Sequence, residues 1–290
     1  MNWMKYKWLY FLISGLVLIP GFYSLFKWGL RPSIDFTGGT ILEYKFSQNL
    51  EKEKLKEVFS SQGVEIYSFQ ETSYGSYLLR LPPIDNQQKG EIEKKIKENL
   101  KVEPEELRFE TVGPILGKEL LRKTIIAIFL ASGFILLYVA WRFKDKKFGI
   151  CAILAMFHDT FVLLGSFSLL GHFLKVEVDT LFVTALLTTL SFSVHDTVVV
   201  YDRIRESQKI FSKVPFEKLV DKAVTETLTR SLNNSLTIIF MLTALFLLGG
   251  ETIRWFVVAL LIGTISGTYS STFTAAPLLV VWDKIKSKKS

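Results

Sequence analysis

Long apolar runs alternate with short polar ones over most of this chain. Residues 8–26, 124–141, 148–171, 180–201, 231–250 and 255–282 are each close to the length of a bilayer-spanning helix, since a hydrocarbon core ~30 Å thick takes about 20 helical residues. His158 and Asp159 interrupt the third run, and His195 and Asp196 the fourth. Six such runs exceed what the core of a small soluble protein can bury. The pattern predicts a polytopic α-helical membrane protein with six spans and excludes a soluble globular domain.

Between the first two runs the period changes. Residues 40–46 alternate as a strand does, and 49–62 place Leu50, Leu55, Val58 and Phe59 near helical spacing. Residues 64–70 and 76–81 read as strands around a turn at 72–75. Residues 84–100 carry Ile92, Ile96 and Leu100 at fourfold spacing, and Leu107, Phe109 and Thr111 alternate after Pro104. The order β-α-β-β-α-β predicts a ferredoxin-like α+β domain, a fold that hosts many functions and decides none. The chain then divides into a tip and first span over 1–28, the α+β domain over 29–123, and a five-span bundle over 124–290.

The 290 residues are 49% hydrophobic and 22% charged, an average that conceals these two regimes. The net charge of +7 lies mainly beside the spans. Arg142, Lys144, Lys146 and Lys147 follow the second span, and Arg203, Arg205, Lys209, Lys213, Lys218, Lys222 and Arg230 follow the fourth. The opposite turns hold Lys175 and Arg254, and the tail has Lys284, Lys286, Lys288 and Lys289. Positive charge resists translocation, so both termini are expected in the cytoplasm and the α+β domain outside, in the plasma membrane. Lys5 and Lys7 precede the first run as in a signal peptide, but no small-residue cleavage site follows at 26–31, and an uncleaved anchor is expected. The segment 202–230 is expected to be a solvated loop. Cys151, a lone cysteine in an apolar run, offers no disulfide, redox pair or thiolate metal site.

An ionisable group within a span costs about 2.5–3.5 kcal/mol on insertion scales, so it calls for a partner, a wet cavity or a function. His158, Asp159, His195 and Asp196 are the groups in question. Thr189, Ser193 and Asp196 share one helical stripe, and Thr184, Thr188, Ser191 and His195 the adjacent one. Such stripes suit a wet or protein-lined interior in which protons move between carboxylate, imidazole and water. The alternative is static interhelical bonding, with Asp196 paired to Arg230. Helical neighbours point about 100° apart, so each His-Asp pair is expected to divide its roles. Gly263, Gly267 and Ser271 form a small-residue stripe for close helix packing, within the bundle or against another subunit. Residues 113–119 imitate a phosphate loop but lack a spacer residue and the Ser or Thr after Lys118, so nucleotide binding is rejected. His172, in an outer turn, is expected to be solvated. Neither a cofactor or metal set nor a catalytic role is expected.

Four motifs carry a family resemblance. They are Ile-Asp-Phe-Thr-Gly-Gly-Thr at 34–40, with Asp35, Gly38 and Gly39; Val-Gly-Pro-Ile-Leu-Gly-Lys-Glu-Leu at 112–120; Val-His-Asp-Thr-Val-Val-Val-Tyr-Asp-Arg-Ile-Arg-Glu at 194–206, with Asp202 and Arg203; and Gly-Thr-Tyr-Ser-Ser at 267–271. With them the chain resembles the SecF family of protein-export membrane proteins over nearly its whole length. The resemblance implies the six-span half of an RND-type transporter, completed by SecD as a SecDF heterodimer. It implies action beside the SecYEG channel, using the proton motive force to assist late translocation of an unfolded preprotein. It also implies a proton pathway through Asp196 and Arg230, with His158 and Asp159 at positions where similar residues occur. Where the family usually has Gly-Tyr-Ser-Ile-Asn-Asp, this chain has Ser-Phe-Ser-Val-His-Asp at 191–196. Whether His195 tunes the site, relays protons or replaces the amide's hydrogen bond is left open. The rival readings are an RND-type exporter of lipids or small molecules, for which a single small outer domain leaves little room, and a non-transporting scaffold.

Overall fold

The computed structural model describes residues 2–48, 50–72, 75–143 and 145–287. Two residues of the turn expected at 72–75, together with Lys144, Lys288 and Lys289, lie outside them. The chain divides into two compact units, Pro32–Ile125 and Met1–Arg31 with Ile126–Ser290.

In the first unit, β1 (Gly39–Lys45), α3 (Lys52–Ser61), β2 (Ser68–Glu71), β3 (Ser76–Leu81), α4 (Asn86–Leu100) and β4 (Glu105–Val112) follow the ferredoxin-like order, after one short helix, α2 (Ile34–Thr37). The antiparallel sheet runs β2-β3-β1-β4. Leu42 and Tyr44 of β1 and Leu79 and Leu81 of β3 face Leu55, Phe59, Ile92 and Ile96 of the two helices. Asp85 starts α4 with a capping box, accepting from Gln88 N while the Gln88 side chain accepts from Asp85 N. The Tyr44 hydroxyl donates to Glu93 Oε1 over 2.9 Å. Burial first, and then the neighbouring carboxylate, push that phenol far above its ordinary range.

Two details differ from the sequence pattern. Leu107 is 47% exposed although Phe109 packs on the core. The register shifts there, with Glu106 opposite Tyr44 and Arg108 opposite Glu43, which leaves Leu107 as the extra residue of a bulge. The strand expected from Val64 begins only at Ser68, because Gly63, at φ +70°, closes α3 and the chain must still cross to the sheet edge.

The glycine motif and the motif at 112–120 come together in this unit. Gly38 has φ +73°, and a Cβ on it would lie 2.8 Å from Pro114 Cα. A Cβ on Gly117 would lie 2.8 Å from Gly38 N. Neither position admits a side chain without moving backbone, and Gly38 also uses a conformation that L-residues avoid. Pro114 is the first residue of α5 (Pro114–Arg142), where its missing N–H costs nothing, so residues 113–119 form a packed helix start.

In the second unit are α1 (Lys7–Lys27), the greater part of α5 (Pro114–Arg142), α6 (Lys146–Leu174), α7 (Thr180–Ile210), α8 (Phe216–Leu248), α9 (Glu251–Ser270) and α10 (Ala276–Ser287). A single π turn, Ser271–Ala275, joins α9 to α10, which together form the sixth span. Asp145 and Asp179 cap α6 and α7, accepting from Lys147 N and Phe182 N. Six helices among the described residues are long and apolar enough to cross a membrane. Phe148, Cys151, Tyr201 and Leu279 help form one apolar core, and Phe167, Phe182, Leu186 and Ala259 another. α1 meets α6 at Gly21 and Gly165, where a Cβ on Gly165 would lie 2.6 Å from Gly21 Cα.

The segment 202–230 is not the loop expected. α7 continues to Ile210 and α8 already starts at Phe216. Ile204, Leu219, Val220, Ala223 and Val224 are buried along these extensions, so they carry an apolar stripe among their charges. The N-terminal turn Trp3–Tyr6 is held on α8: Met4 N donates to Asp221 Oδ1 at 2.8 Å, Trp3 Nε1 to Thr225 Oγ1 at 2.9 Å, and Lys7 pairs with Glu217 at 2.9 Å. His172 is not simply solvated either. Its ring stacks on Trp28, with centroids 3.7 Å apart and planes 6° from parallel.

Candidate functional site

Asp159 is 0% exposed in the middle of α6, and four groups point at its two oxygens. Oδ1 accepts from Ser266 Oγ at 2.6 Å and lies 3.0 Å from His158 Nδ1; Oδ2 accepts from Ser193 Oγ and Ser270 Oγ, each at 2.5 Å. The donors come from α6, α7 and α9, so this carboxylate ties three helices together. His158 carries the chain of bonds onward through Nε2 to Ser14 Oγ of α1 at 3.0 Å, and Ser14 lies 3.3 Å from Thr274 Oγ1 in the π turn. The imidazole and carboxylate reach toward different helices, yet they also bond to each other, which the 100° separation did not suggest.

Asp196, 5% exposed on α7, is held more sparsely. Ser231 Oγ of α8 donates to its Oδ2 at 2.5 Å, and Ser271 Oγ of the π turn to the same oxygen at 3.0 Å. Oδ1 enters none of the described hydrogen bonds. A carboxylate has room for about four donors on its two oxygens. Asp159 is saturated, whereas Asp196 keeps one oxygen uncommitted.

The remaining expected residues lie elsewhere. His195 and Arg230 are both exposed. Among the described residues no ion pair joins Arg230 to Asp196, although Arg230 precedes Ser231 in the chain. His195 and Asp196 thus divide, one toward the surface and the other into the bundle. Ser193, on the expected stripe with Asp196, bonds across to Asp159 instead. Thr184 and Thr188 donate to Thr180 O and Thr184 O of their own helix and remain exposed with Ser191. Gly263 lies against Thr189, and a Cβ on Gly267 would meet Phe192 at 3.3 Å and the Ser193 backbone at 3.4 Å. Ser271, from the same small-residue stripe, is a donor to Asp196 as well as a buried contact. Asp35 lies in α2, where its N–H donates to Ser33 Oγ at 3.2 Å. Asp202 pairs with Arg142 and, at 3.4 Å, with Arg205; Arg203 pairs with Glu206 and Glu226 at 2.5 and 2.6 Å. These are ties at the ends of spans, away from the two acids. No group of three His, Cys, Asp or Glu suited to a metal ion occurs among the described residues.

The family model "Protein export membrane protein SecD/SecF, C-terminal" matches residues 91–285, and "SecD/SecF GG Motif" matches residues 23–49. The chain belongs to the SecD/SecF family. It is 43% identical to Protein translocase subunit SecF of Thermobaculum terrenum, over 97% of this chain and 93% of that one. It is 38% identical to Protein translocase subunit SecDF of Thermus thermophilus, over 89% of this chain and 35% of that one. Among solved structures it is similar to the crystal structure of SecDF, a translocon-associated membrane protein from Thermus thermophilus, with TM-score 0.85 and 35% identity. That match covers 98% of this chain and 39% of the SecDF chain, so this chain spans about two-fifths of the solved protein. Against SecDF in the super-membrane-facing form the TM-score is 0.69 at 34% identity. Together with the six spans, these matches establish a multi-pass membrane protein with the architecture of one half of an RND-type transporter.

Ser14, Ser231, Ser266 and Ser270 carry the site but escape a reading of local pattern. Ser14 lies on α1, Ser231 on α8, and Ser266 and Ser270 one turn apart on α9, and only the packing of the helices turns them toward His158 and the two acids.

Proposed function

We propose that this protein acts with SecD as a subunit of the Sec preprotein translocase, where it couples the proton motive force to late translocation of unfolded polypeptides. One observation supports the coupling above all others. Asp196 is a buried acid within a membrane-spanning helix, with no cation paired to it among the described residues and with one oxygen free. A carboxylate so placed is costly, and without the full set of donors that holds Asp159 a proton-carrying role accounts for its presence. Taking a proton on Oδ1 makes Asp196 neutral while its bonds on Oδ2 stay in reach, and releasing it restores a charge-assisted acceptor for Ser231 and Ser271. Each proton descending the field supplies ~2.3 kcal/mol per 100 mV, enough over several transfers to bias a movement of one half against the other.

The remaining proton-pathway residues take complementary parts. Arg230, adjacent to Ser231, biases the charge state of Asp196 through space. His195 extends the route to the surface of the bundle. His158 and Asp159 form a second, saturated station joined to α1 through Ser14. Exposed polar side chains within the spans, Ser191 and His195 on α7 and Asn233 and Asn234 on α8, support pairing with a second six-span half, since lipid offers them no partners. In this reading that half is SecD, the complex works beside SecYEG, both termini are cytoplasmic as the Lys and Arg distribution favours, and the outer domain meets the emerging preprotein.

Replacing Asp196 by Asn keeps the shape and removes the titratable group. Pulse-chase secretion in cells carrying Asp196→Asn with SecD is expected to lose its stimulation by the proton motive force, while SecD still co-purifies. Undiminished stimulation sinks this reading.

A further inference from the structure

Span six departs from α-helical spacing at one place, the π turn Ser271–Ala275. Such a turn accommodates one residue more than an α-helical turn, and π turns are common at functional sites. Here Ser271 and Thr272 open the turn and Ser270 directly precedes it, three consecutive hydroxyl residues, all buried. Ser270 serves Asp159 and Ser271 serves Asp196. Each also has a second acceptor on its own helix: Gly267 O lies 3.2 Å from Ser270 Oγ, and Thr268 O lies 3.1 Å from Ser271 Oγ. The Thr272 hydroxyl enters none of the described hydrogen bonds.

We propose that the extra residue of the π turn travels along span six in the proton cycle, and that Thr272 is a positioning residue that replaces Ser271 opposite Asp196 in the second register. The proposal rests on Asp196 being the proton site. Moving the extra residue toward the N-terminal side of Ser270 shifts the residues it passes by one place, a step of about 100° and 1.5 Å. Ser271 then stands where Ser270 stood, facing Asp159, and Thr272 stands where Ser271 stood, facing Asp196. In most sequences such a step strands both acids, whereas three successive hydroxyls keep a donor opposite each in both registers.

Bonds to other helices on both sides of the turn limit how far the extra residue moves. Tyr201 donates to Ala275 O at 2.9 Å, and Thr274 lies 3.3 Å from Ser14, which hold the C-terminal side of the turn. On the other side, Thr268 donates to Ser235 Oγ at 2.6 Å, Tyr269 donates to Tyr10 O at 2.7 Å, and Gly263 and Gly267 pack closely on α7, so the moving segment is confined to Ser270 and its immediate neighbours. The trigger is the charge on Asp196. Once protonated, it accepts from Ser271 only a neutral hydrogen bond, and the Ser271 proton can turn to Thr268 O at little cost.

Thr272→Val tests this, because it removes a hydroxyl that bonds to neither acid in the present register. In the full complex, Thr272→Val is expected to melt and co-purify with SecD like the parent, yet to lose roughly five- to tenfold of its proton-stimulated secretion, the worth of one hydrogen bond. Thr272→Ser retains the hydroxyl and is expected to keep the stimulation. Full stimulation in Thr272→Val, or an equal loss in Thr272→Ser, overturns the register shift. With Asp196→Asn run alongside, the two failures are told apart: stimulation surviving there removes the proton reading and this inference with it. Stimulation lost there but intact in Thr272→Val removes the register shift alone.

Discussion

Asp159→Ala is expected to destabilise the bundle by about 3–5 kcal/mol, the usual cost of removing one partner from a buried charged network. The change leaves His158 Nδ1 and the hydroxyls of Ser193, Ser266 and Ser270 aimed at a void. Ser270 can turn to Gly267 O, but no described acceptor replaces the acid for the others, and each buried group left unmatched costs ~1–3 kcal/mol. Asp159→Asn is expected to fall between Ala and wild type, because one oxygen remains while the amide sets donors against donors. Thermal melting of the detergent-solubilised complex and its yield from membranes measure both variants. A wild-type melting temperature for Asp159→Ala contradicts the assignment of this acid as the tie between α6, α7 and α9.

Exchanging the charges, with Asp196→Arg and Arg230→Asp in one chain, is expected to abolish stimulated secretion and lower the amount of assembled protein. A static ion pair tolerates such an exchange. Here, however, Arg230 is exposed and Asp196 is buried among serine donors. The exchange puts a guanidinium inside a span, at about 2.5–3.5 kcal/mol on insertion scales, and carries the titratable acid away from its cage. Secretion assays and immunoblots of membrane fractions read both effects. Normal export from the exchanged protein favours a structural ion pair over a proton site.

The six spans and the β-α-β-β-α-β order were legible because both depend on local periodicity, apolar runs of bilayer length in one case and alternation against fourfold spacing in the other. The two acids were legible for a related reason, since charge within an apolar run stands out against its neighbours. Their partners were not. Ser14, Ser231, Ser266 and Ser270 come from spans one, five and six, and a serine in a helix is unremarkable until a carboxylate is placed beside it. A direct pair between Asp196 and Arg230 stood in the sequence only as the alternative to a proton site, since order along the chain says nothing about which way α8 turns its side chains. The charged segment 202–230 suggested a loop because its apolar residues form only a narrow stripe, which is enough to extend two helices once they pack together. Leu107 lost its phase through a bulge, and His172 gained a partner in Trp28, which is distant in sequence. In each case the missing information was a contact across the fold.

Asp196 is proposed to gain and lose a proton within the membrane. Infrared difference spectra of the purified complex with SecD, recorded in lipid across a pH series, observe the carboxyl stretch of a protonated buried acid directly. A band is expected that grows as pH falls, vanishes as pH rises, and is missing from Asp196→Asn. A spectrum unchanged with pH, or a titrating band that persists in Asp196→Asn, contradicts the proposal.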